Sequence, residues 1–291
     1  MKEDDPPRPT PPPPGGREST DVIEVAREPG EDEDELIARR RGAVQWVVFN
    51  RPAARNAMTW HMYDRLVEVC QEVNEDRSVR AMVLTGAGGR AFVAGTDIAQ
   101  FRAFSTAQHA LDYEARGNHV MHALETVRVP TIAAIAGPCT GGGAGMAAAC
   151  DLRLVSPSAR YGFPIARTLG NCLSMPNYAR LFTLLGPARA RDILLTARLM
   201  GADEMVACGL AREKVADEES LLPRAQELGE ELATHAPLTM WASKEAMRRI
   251  RERLVPEGAD SDLILSCYLS RDFKEGVEAF LAKRKPEWRG E

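Results

Sequence analysis

Three consecutive glycines, Gly141–Gly142–Gly143, are the residues whose type and spacing most suggest chemistry in this sequence. They follow a short apolar stretch and precede small residues that are typical of a tightly packed helix. Glycine loses the most conformational freedom on ordering, so such a run is unfavourable unless another group must approach the backbone. A helix N-terminus carries unpaired N–H groups and a partial positive charge. The run is therefore suited to bind an oxygen that is negative or becomes negative.

A second turn repeats this pattern. A strand predicted at residues 81–85 leads to a glycine-rich stretch, and Gly95 and Thr96 come directly before the next helical segment. The backbone N–H groups of Thr96 and Gly142 would then converge on one oxygen from two neighbouring turns. Such a pair forms an oxyanion hole, which stabilises negative charge that develops during a reaction.

Two other interpretations of the glycine run stay open. Glycine and alanine also permit close packing of a helix on a sheet, and the turn alone does not separate this packing role from ligand binding. A phosphate-binding loop has weak support, because the sequence has neither a P-loop lysine followed by Ser or Thr nor a G-x-G-x-x-G with its acidic partner.

The composition limits the class of protein. The chain has 291 residues, of which 44% are hydrophobic and 27% are charged, and its formal net charge is −5. No apolar run approaches the length of a bilayer span, and the N-terminus is proline-rich and charged. We expect a cytoplasmic, soluble protein whose partners include neither a membrane nor nucleic acid.

Cysteine and histidine residues do not suggest a metal site. The six cysteines lack a C-x-x-C pair and any metal-site spacing, so we expect reduced and mostly buried thiols. His119 and His122 lie three residues apart on a predicted helix, but no third ligand accompanies them. No metal is predicted.

The order of elements predicts an α/β core with a helical appendage. Residues 1–21 are proline-rich and are predicted to be a disordered tail. Strands alternate with helices over residues 22–216, beginning with a short strand at 22–25, a hairpin of 36–41 with 43–50, and a helix that Thr59 caps. Residues 164–176 are predicted to be a loop, and a strand at 211–215 closes the core. Residues 217–291 contain helices alone, which indicates a separate C-terminal region.

Several motifs, in this order and spacing, closely resemble the enoyl-CoA hydratase/isomerase (crotonase) family over residues 36–291. The motifs are FNRP at 49–52, RNAM at 55–58, LTG at 84–86, AFVAGTDI at 91–98, PTIAAIAG at 130–137, GGG at 141–143 and FLAKRKP at 280–286. The resemblance implies an α/β, crotonase-like spiral of ββα units with a helical C-terminal trimerisation region. It also implies a homotrimer or a hexamer built as a dimer of trimers, and an acyl-CoA substrate.

The resemblance assigns roles to residues of the motifs. It implies that the Thr96 and Gly142 N–H groups hold the thioester carbonyl, and that coenzyme A is part of the substrate, with no permanently bound cofactor. Arg55 and Lys283 would be attracted to the phosphates of coenzyme A, and Phe280 with Lys283 is expected to reach a neighbouring subunit. The implied contacts with coenzyme A are Arg55, Ala57, Ala94, Asp97, Ile98, Phe280 and Lys283.

The sequence departs from the family at two catalytic positions. Hydratases of the family use two glutamates to position water and to move protons. Gly145 stands at the first of these positions and Ile165 at the second, with Ala166 there if the match slips by one residue. Simple hydration of crotonyl-CoA is therefore not expected. The glycine at 145 also predicts room for a larger or branched acyl group.

Other residues are candidates for the missing acid and base. The resemblance extends to 4-chlorobenzoyl-CoA dehalogenases, which have glycine at the first position and a carboxylate slightly later, where this chain has Cys172. A buried, unreactive thiol is the favoured role for Cys172. Arg167, Asn171 and Ser174 are candidates to orient a polar acyl group. The helical segment over the pocket adds four further candidates, for each of which a solvated surface role is favoured: Asp112, Glu114, His119 and His122.

Three functional hypotheses follow. The first is an enzyme that stabilises a thioester enolate at Thr96 and Gly142 and moves protons with groups other than the usual glutamates. The second is a non-catalytic protein that binds acyl-CoA through the same two donors. The third keeps hydration or double-bond isomerisation, with water positioned by Asn171 and its neighbours.

Overall fold

The computed structural model describes residues 34–256 and 260–291. The predicted tail of 1–21 and the predicted strand at 22–25 lie outside these residues. Within the described ranges, no helix is long and apolar enough to cross a membrane.

Two sheets form the core of the fold. The larger sheet has six strands in the order β1-β2-β3-β4-β6-β9, and the smaller has three in the order β5-β7-β8. The hairpin of β1 and β2 is antiparallel, as predicted, and the other neighbours in the larger sheet are parallel. The strands in chain order are β1 (Leu36–Arg41), β2 (Val44–Phe49), β3 (Ala81–Gly86), β4 (Thr131–Ile135), β5 (Pro138–Thr140), β6 (Leu152–Val155), β7 (Arg160–Gly162), β8 (Met200–Gly201) and β9 (Glu213–Lys214).

The helices connect and cover these sheets. Strands β4 and β5 follow each other but enter different sheets, and a helix follows them; β6 and β7 repeat this arrangement. These repeated ββα units confirm the predicted α/β class. The helices are α1 (Trp60–Glu75), α2 (Ala107–Glu125), α3 (Gly142–Ala149), α4 (Ile165–Thr168), α5 (Met175–Leu195), α6 (Ala202–Ala207), α7 (Leu221–Ala233), α8 (Pro237–Glu252), α9 (Ser261–Tyr268) and α10 (Arg271–Leu281).

Helix α1 shows how the local sequence determines an element. The Thr59 side chain accepts a hydrogen bond from the Met62 N–H and so satisfies one of the unpaired donors at the helix start. Met62, Leu66, Val69 and Val73 recur at helical spacing and are all buried. The predicted helix and its cap are confirmed.

Two predicted boundaries were wrong. The predicted loop at 164–176 contains α4, and the predicted strand at 211–215 shortens to β9.

Helix α5 is broken at Gly186, whose φ is +70°, next to Pro187. Proline cannot donate the helical hydrogen bond, and glycine adopts positive φ without strain. These two residues therefore account for the break.

The C-terminal region is helical, as predicted. Helices α9 and α10 pack on α2 and on a 3-10 turn at Ile98–Ala103. A cluster of Phe101, Ile264, Tyr268 and Phe273 fills the space between them. Helix α8, in contrast, buries none of its own residues. The end of the chain is therefore fixed close to residues that follow β3.

Candidate active site

A cavity of about 670 Å³ lies between the two glycine turns, α2, the segment after β7 and the end of α10. This volume is typical of a small-molecule site. Thr96 and Gly142 both line it. The structure therefore brings the two proposed oxyanion donors to one cavity.

The two glycine turns run side by side. Val93 and Cys139 form a parallel bridge, and the Thr140 N–H donates to the Val93 carbonyl oxygen at 3.0 Å. The Thr140 hydroxyl donates to the Ala94 carbonyl oxygen, also at 3.0 Å. Neither the Thr96 N–H nor the Gly142 N–H makes a hydrogen bond to another residue of the described ranges. Both backbone donors are free to bind a ligand oxygen.

Two glycines of the run are required for different reasons, one for close packing and one for the geometry of the site. A Cβ on Gly143 would lie 2.2 Å from the Val93 carbonyl oxygen, so this glycine permits close packing. A Cβ on Gly142 would lie 2.5 Å from the Tyr63 hydroxyl at the cavity wall. Packing and site geometry therefore both require glycine, at neighbouring positions.

A chain of hydroxyl groups fixes the Thr96 side chain. The Thr96 Oγ1 lies 2.8 Å from the Tyr63 Oη and 3.1 Å from the Tyr113 Oη. Burial raises the pKa of Tyr63 to about 12 and raises the pKa of Tyr113 well above its usual value. Both phenols therefore stay protonated at neutral pH. No local pattern in the sequence predicts these hydroxyl contacts, because Tyr63, Thr96 and Tyr113 come from three separate segments.

The loop after β2 is fixed by Asn56. This residue has a φ of +57°, is fully buried, and donates from Nδ2 to the carbonyl oxygens of Ala87 and Ala91 at 3.1 and 2.8 Å. Arg51 pairs with Asp97 at 3.1 Å. These contacts hold the loop against the second glycine turn. All the residues predicted to contact coenzyme A line the cavity: Arg55, Ala57, Ala94, Asp97, Ile98, Phe280 and Lys283.

Phe280 and Lys283 line the cavity of their own chain. The packing of α10 on the turn Ile98–Ala103 brings the end of the helix back to the cavity. That the two residues also reach a neighbouring subunit stays a prediction.

The two positions at which the family resemblance implies glutamates also line the cavity. Gly145 and Ile165 are both part of its wall. A Cβ on Gly145 would lie 3.0 Å from the Met121 Cε and 3.7 Å from the Asn177 Oδ1. The Met121 side chain therefore occupies part of the space beside Gly145, and both residues line the cavity. The room predicted there for a larger acyl group stays a prediction.

The candidates from the segment after β7 separate into three groups. Asn171 and Cys172 line the cavity, whereas Arg167 is exposed on α4 and is not among the lining residues. Ser174 is buried and donates to the Asn118 Oδ1 at 2.7 Å. Burial and the neighbouring Cys267 thiol raise the pKa of Cys172, so it is held as a thiol.

Glu114 is the candidate whose predicted surface role is wrong. Its side chain is 7% exposed and lines the cavity, whereas Asp112, His119 and His122 are exposed as expected. The Tyr268 hydroxyl donates to the Glu114 Oε1 at 2.5 Å. Burial raises the pKa of Glu114 to about 7, although the hydrogen bond from Tyr268 opposes this effect. The carboxyl group is therefore poised between its two protonation states near neutral pH.

No cluster of three or more His, Cys, Asp or Glu side chains suited to a metal ion occurs in the part of the chain that the structure describes. The polar groups at the cavity include two backbone donors, several hydroxyl groups, side-chain amides, cationic side chains and two carboxyl groups. This set can hold an oxygen that becomes negative and can exchange a proton beside it.

Comparison with known proteins agrees with the motifs. The family model described as enoyl-CoA hydratase/isomerase matches residues 39–291. A short-chain-enoyl-CoA hydratase of Clostridium acetobutylicum is 33% identical over 254 residues, covering 87% of this chain and 96% of that protein. A crotonyl-CoA hydratase of Syntrophomonas wolfei is 32% identical over 254 residues, with the same coverage of both proteins. A solved enoyl-CoA hydratase/carnithine racemase of Magnetospirillum magneticum superposes with a TM-score of 0.72 at 32% identity, covering 89% of this chain and 97% of its own.

Proposed function

The chain belongs to the enoyl-CoA hydratase/isomerase family, and from this premise we propose that it stabilises the enolate of an acyl-CoA thioester. The observation that carries the proposal is the pair of unpaired N–H groups, of Thr96 and Gly142, at one cavity. A thioester carbonyl oxygen bound there accepts two hydrogen bonds. These strengthen as the oxygen becomes negative, and each such donor lowers the barrier by about 3 kcal/mol.

The rest of the cavity fits the parts of an acyl-CoA. Arg55 and Lys283 are exposed at its edge, where the phosphates of coenzyme A would lie in water and pair with them. The inner wall includes Trp60, Phe101 and Phe163, which suit an acyl chain. Coenzyme A therefore enters as part of the substrate in this proposal.

The expected reaction is proton transfer at the carbon next to the thioester, with hydration of crotonyl-CoA slow. Hydration needs one group to activate water and another to protonate carbon. The usual two carboxylates are replaced by Gly145 and Ile165. The relatives named as hydratases favour hydration as the second candidate, and the missing carboxylates favour a non-catalytic acyl-CoA binding protein as the third.

Proton exchange separates the three candidates. Butyryl-CoA, octanoyl-CoA and crotonyl-CoA are each incubated with the protein in deuterated water, and exchange and hydration are measured by mass spectrometry. We expect exchange at Cα with little hydration. Tight binding with neither reaction would support the binding protein, and efficient hydration would show that the missing glutamates are replaced by another pair.

A designed variant tests why hydration is slow. Gly145→Glu combined with Ile165→Glu restores the two carboxylates, and Met121→Ala removes the methyl group that would lie 3.0 Å from the new Cβ. We expect the triple variant to hydrate crotonyl-CoA faster than the natural protein. Met121→Ala alone is the matched control and should gain nothing.

We also propose a homotrimer or a hexamer of two trimers. Helix α8 buries no residue of its own, and Leu238, Trp241, Met247 and Ile250 are large apolar side chains that it exposes. Exposed apolar surface of this kind is typical of a protein interface. Sedimentation of the natural protein and of a Trp241→Glu, Ile250→Glu variant tests this, with a smaller species expected for the variant.

A further inference from the structure

We propose that Glu114 is the catalytic residue that removes and returns the Cα proton of the bound acyl-CoA. This inference rests on the proposed function, in which Thr96 and Gly142 hold the thioester oxygen. It assigns this proton transfer to a carboxyl group on α2, whereas the family pattern would assign it to glutamates at positions 145 and 165.

The two carboxyl groups at the cavity differ in whether they pair with a cation. Asp97 and Glu114 are the acidic residues among the lining residues of the described chain. The Asp97 carboxylate pairs with Arg51 at 3.1 Å and accepts a hydrogen bond from the Ala99 N–H. Glu114 makes no ion pair within the described residues. Of the two, Glu114 is therefore the one whose charge is not already balanced by a protein cation.

Partners from other elements hold the Glu114 carboxyl group in place. The Tyr268 hydroxyl donates to its Oε1, and the Asn171 Nδ2 donates to the Tyr268 Oη at 3.0 Å. Ser174 lies beside this carboxyl group and opposes the rise in its pKa. The Asn171 Oδ1 is buried and has no hydrogen-bond partner in the described part of the chain. It offers an acceptor for a hydroxyl group or a water molecule that enters with the substrate.

The pKa of Glu114 suits both the removal and the return of a proton. Its pKa of about 7 results first from burial, with the negative charge of Asp260 adding to the effect. Carboxylate and carboxylic acid are then both populated near neutral pH, which is the condition for efficient acid and base catalysis. The titratable groups that interact with it are Tyr63, Tyr113, Cys172, Tyr178, Tyr268 and Asp260.

The chemistry balances with one carboxyl group. The Glu114 carboxylate takes the Cα proton, the C–H electron pair forms the Cα–C double bond, and the carbonyl electron pair moves to the oxygen between the two N–H groups. The protonated Glu114 then returns the proton to Cα, or to Cγ when the acyl chain has a double bond between Cβ and Cγ. The second course moves that double bond into conjugation with the thioester. This shift of the double bond consumes no water and needs no second proton donor. The substrate class that one carboxyl group can convert in this way is a 3-enoyl-CoA.

Glu114→Gln tests the assignment with little change in shape. The readouts are deuterium exchange into butyryl-CoA, the absorbance of the conjugated product from 3-hexenoyl-CoA, and the dissociation constant for butyryl-CoA. We expect both rates to fall about 100-fold or more while the dissociation constant changes less than about threefold. Asp112→Asn is the matched control, because Asp112 is an exposed carboxylate on the same helix. It should change neither rate.

The pH profile provides a second, independent readout. Tyr268→Phe removes the hydroxyl group that stabilises the Glu114 carboxylate, so the midpoint of the exchange rate should move to higher pH. Retained exchange in Glu114→Gln, with a natural-type pH profile, would overturn the assignment while leaving the proposed function intact. Absence of exchange in the natural protein despite acyl-CoA binding would overturn the proposed function and this assignment with it.

Discussion

The burial of Glu114 predicts a pH-dependent stability that requires no substrate. A carboxyl group whose pKa rises from 4.5 to about 7 on folding binds more protons in the folded state than in the unfolded state over this range. The contribution of Glu114 to stability is therefore largest below the pKa that its carboxyl group has in the unfolded state. This contribution is lost as the pH rises through about 7. Each pKa unit corresponds to about 1.36 kcal/mol.

Glu114→Gln removes this effect and so isolates it. From the two pKa values, the free energy of unfolding of the natural protein should fall by about 2.5 kcal/mol between pH 5 and pH 8 relative to the variant. Urea unfolding of both proteins at each pH, at one protein concentration, measures the difference. The Asp112→Asn variant should show the same pH dependence of the free energy of unfolding as the natural protein. A constant difference between the natural protein and Glu114→Gln across this pH range would refute a buried, poised carboxyl group.

Three other changes have expected outcomes. Changing Glu125 to Gln should lower the free energy of unfolding by about 3 to 5 kcal/mol, as measured by urea unfolding. Glu125 is 7% exposed and pairs with the buried Arg180 and the partly buried Arg251, so both cations lose their partner. Gly142→Ala should lower the melting temperature, since its Cβ would lie 2.5 Å from the Tyr63 hydroxyl, and adding Tyr63→Phe should recover part of the loss; equal melting temperatures for the single and double variants would contradict this. Arg55→Ala with Lys283→Ala should weaken binding of butyryl-CoA about tenfold in calorimetry, but leave binding of butyryl-pantetheine, which lacks the phosphates, unchanged.

Much of the fold follows from local patterns. Two strand-like stretches joined at Gly42 predicted the hairpin of β1 and β2, and the spacing of Met62, Leu66 and Val69 predicted α1. The glycine turns predicted where Thr96 and Gly142 lie, because glycine is required where a second backbone comes close. These features depend on residues near one another in the sequence.

The role of Glu114 depends on residues far from it in the sequence, and it was missed for that reason. Its principal hydrogen-bond partner, Tyr268, stands 154 residues later. One local signal was present: Ala110, Glu114 and Met121 share a stripe on α2, and Ala110 and Met121 are buried. An acidic residue on the buried stripe of a helix is a sign of a special environment. The filling of the space beside Gly145 by Met121 gave no such signal, because it depends on how two helices pack.

The position of Tyr268 has a consequence for synthesis on the ribosome. A nascent chain that has reached residue 260 has made both glycine turns and α2, but not α9 or α10. Its Glu114 lacks the Tyr268 partner, and its cavity lacks the wall formed by Phe280 and Lys283. On the proposed function, such a chain contains Thr96 and Gly142 but cannot yet hold Glu114 with Tyr268. The ability to react should therefore arise only when the last helices emerge and dock, which keeps incomplete chains from acting on acyl-CoA.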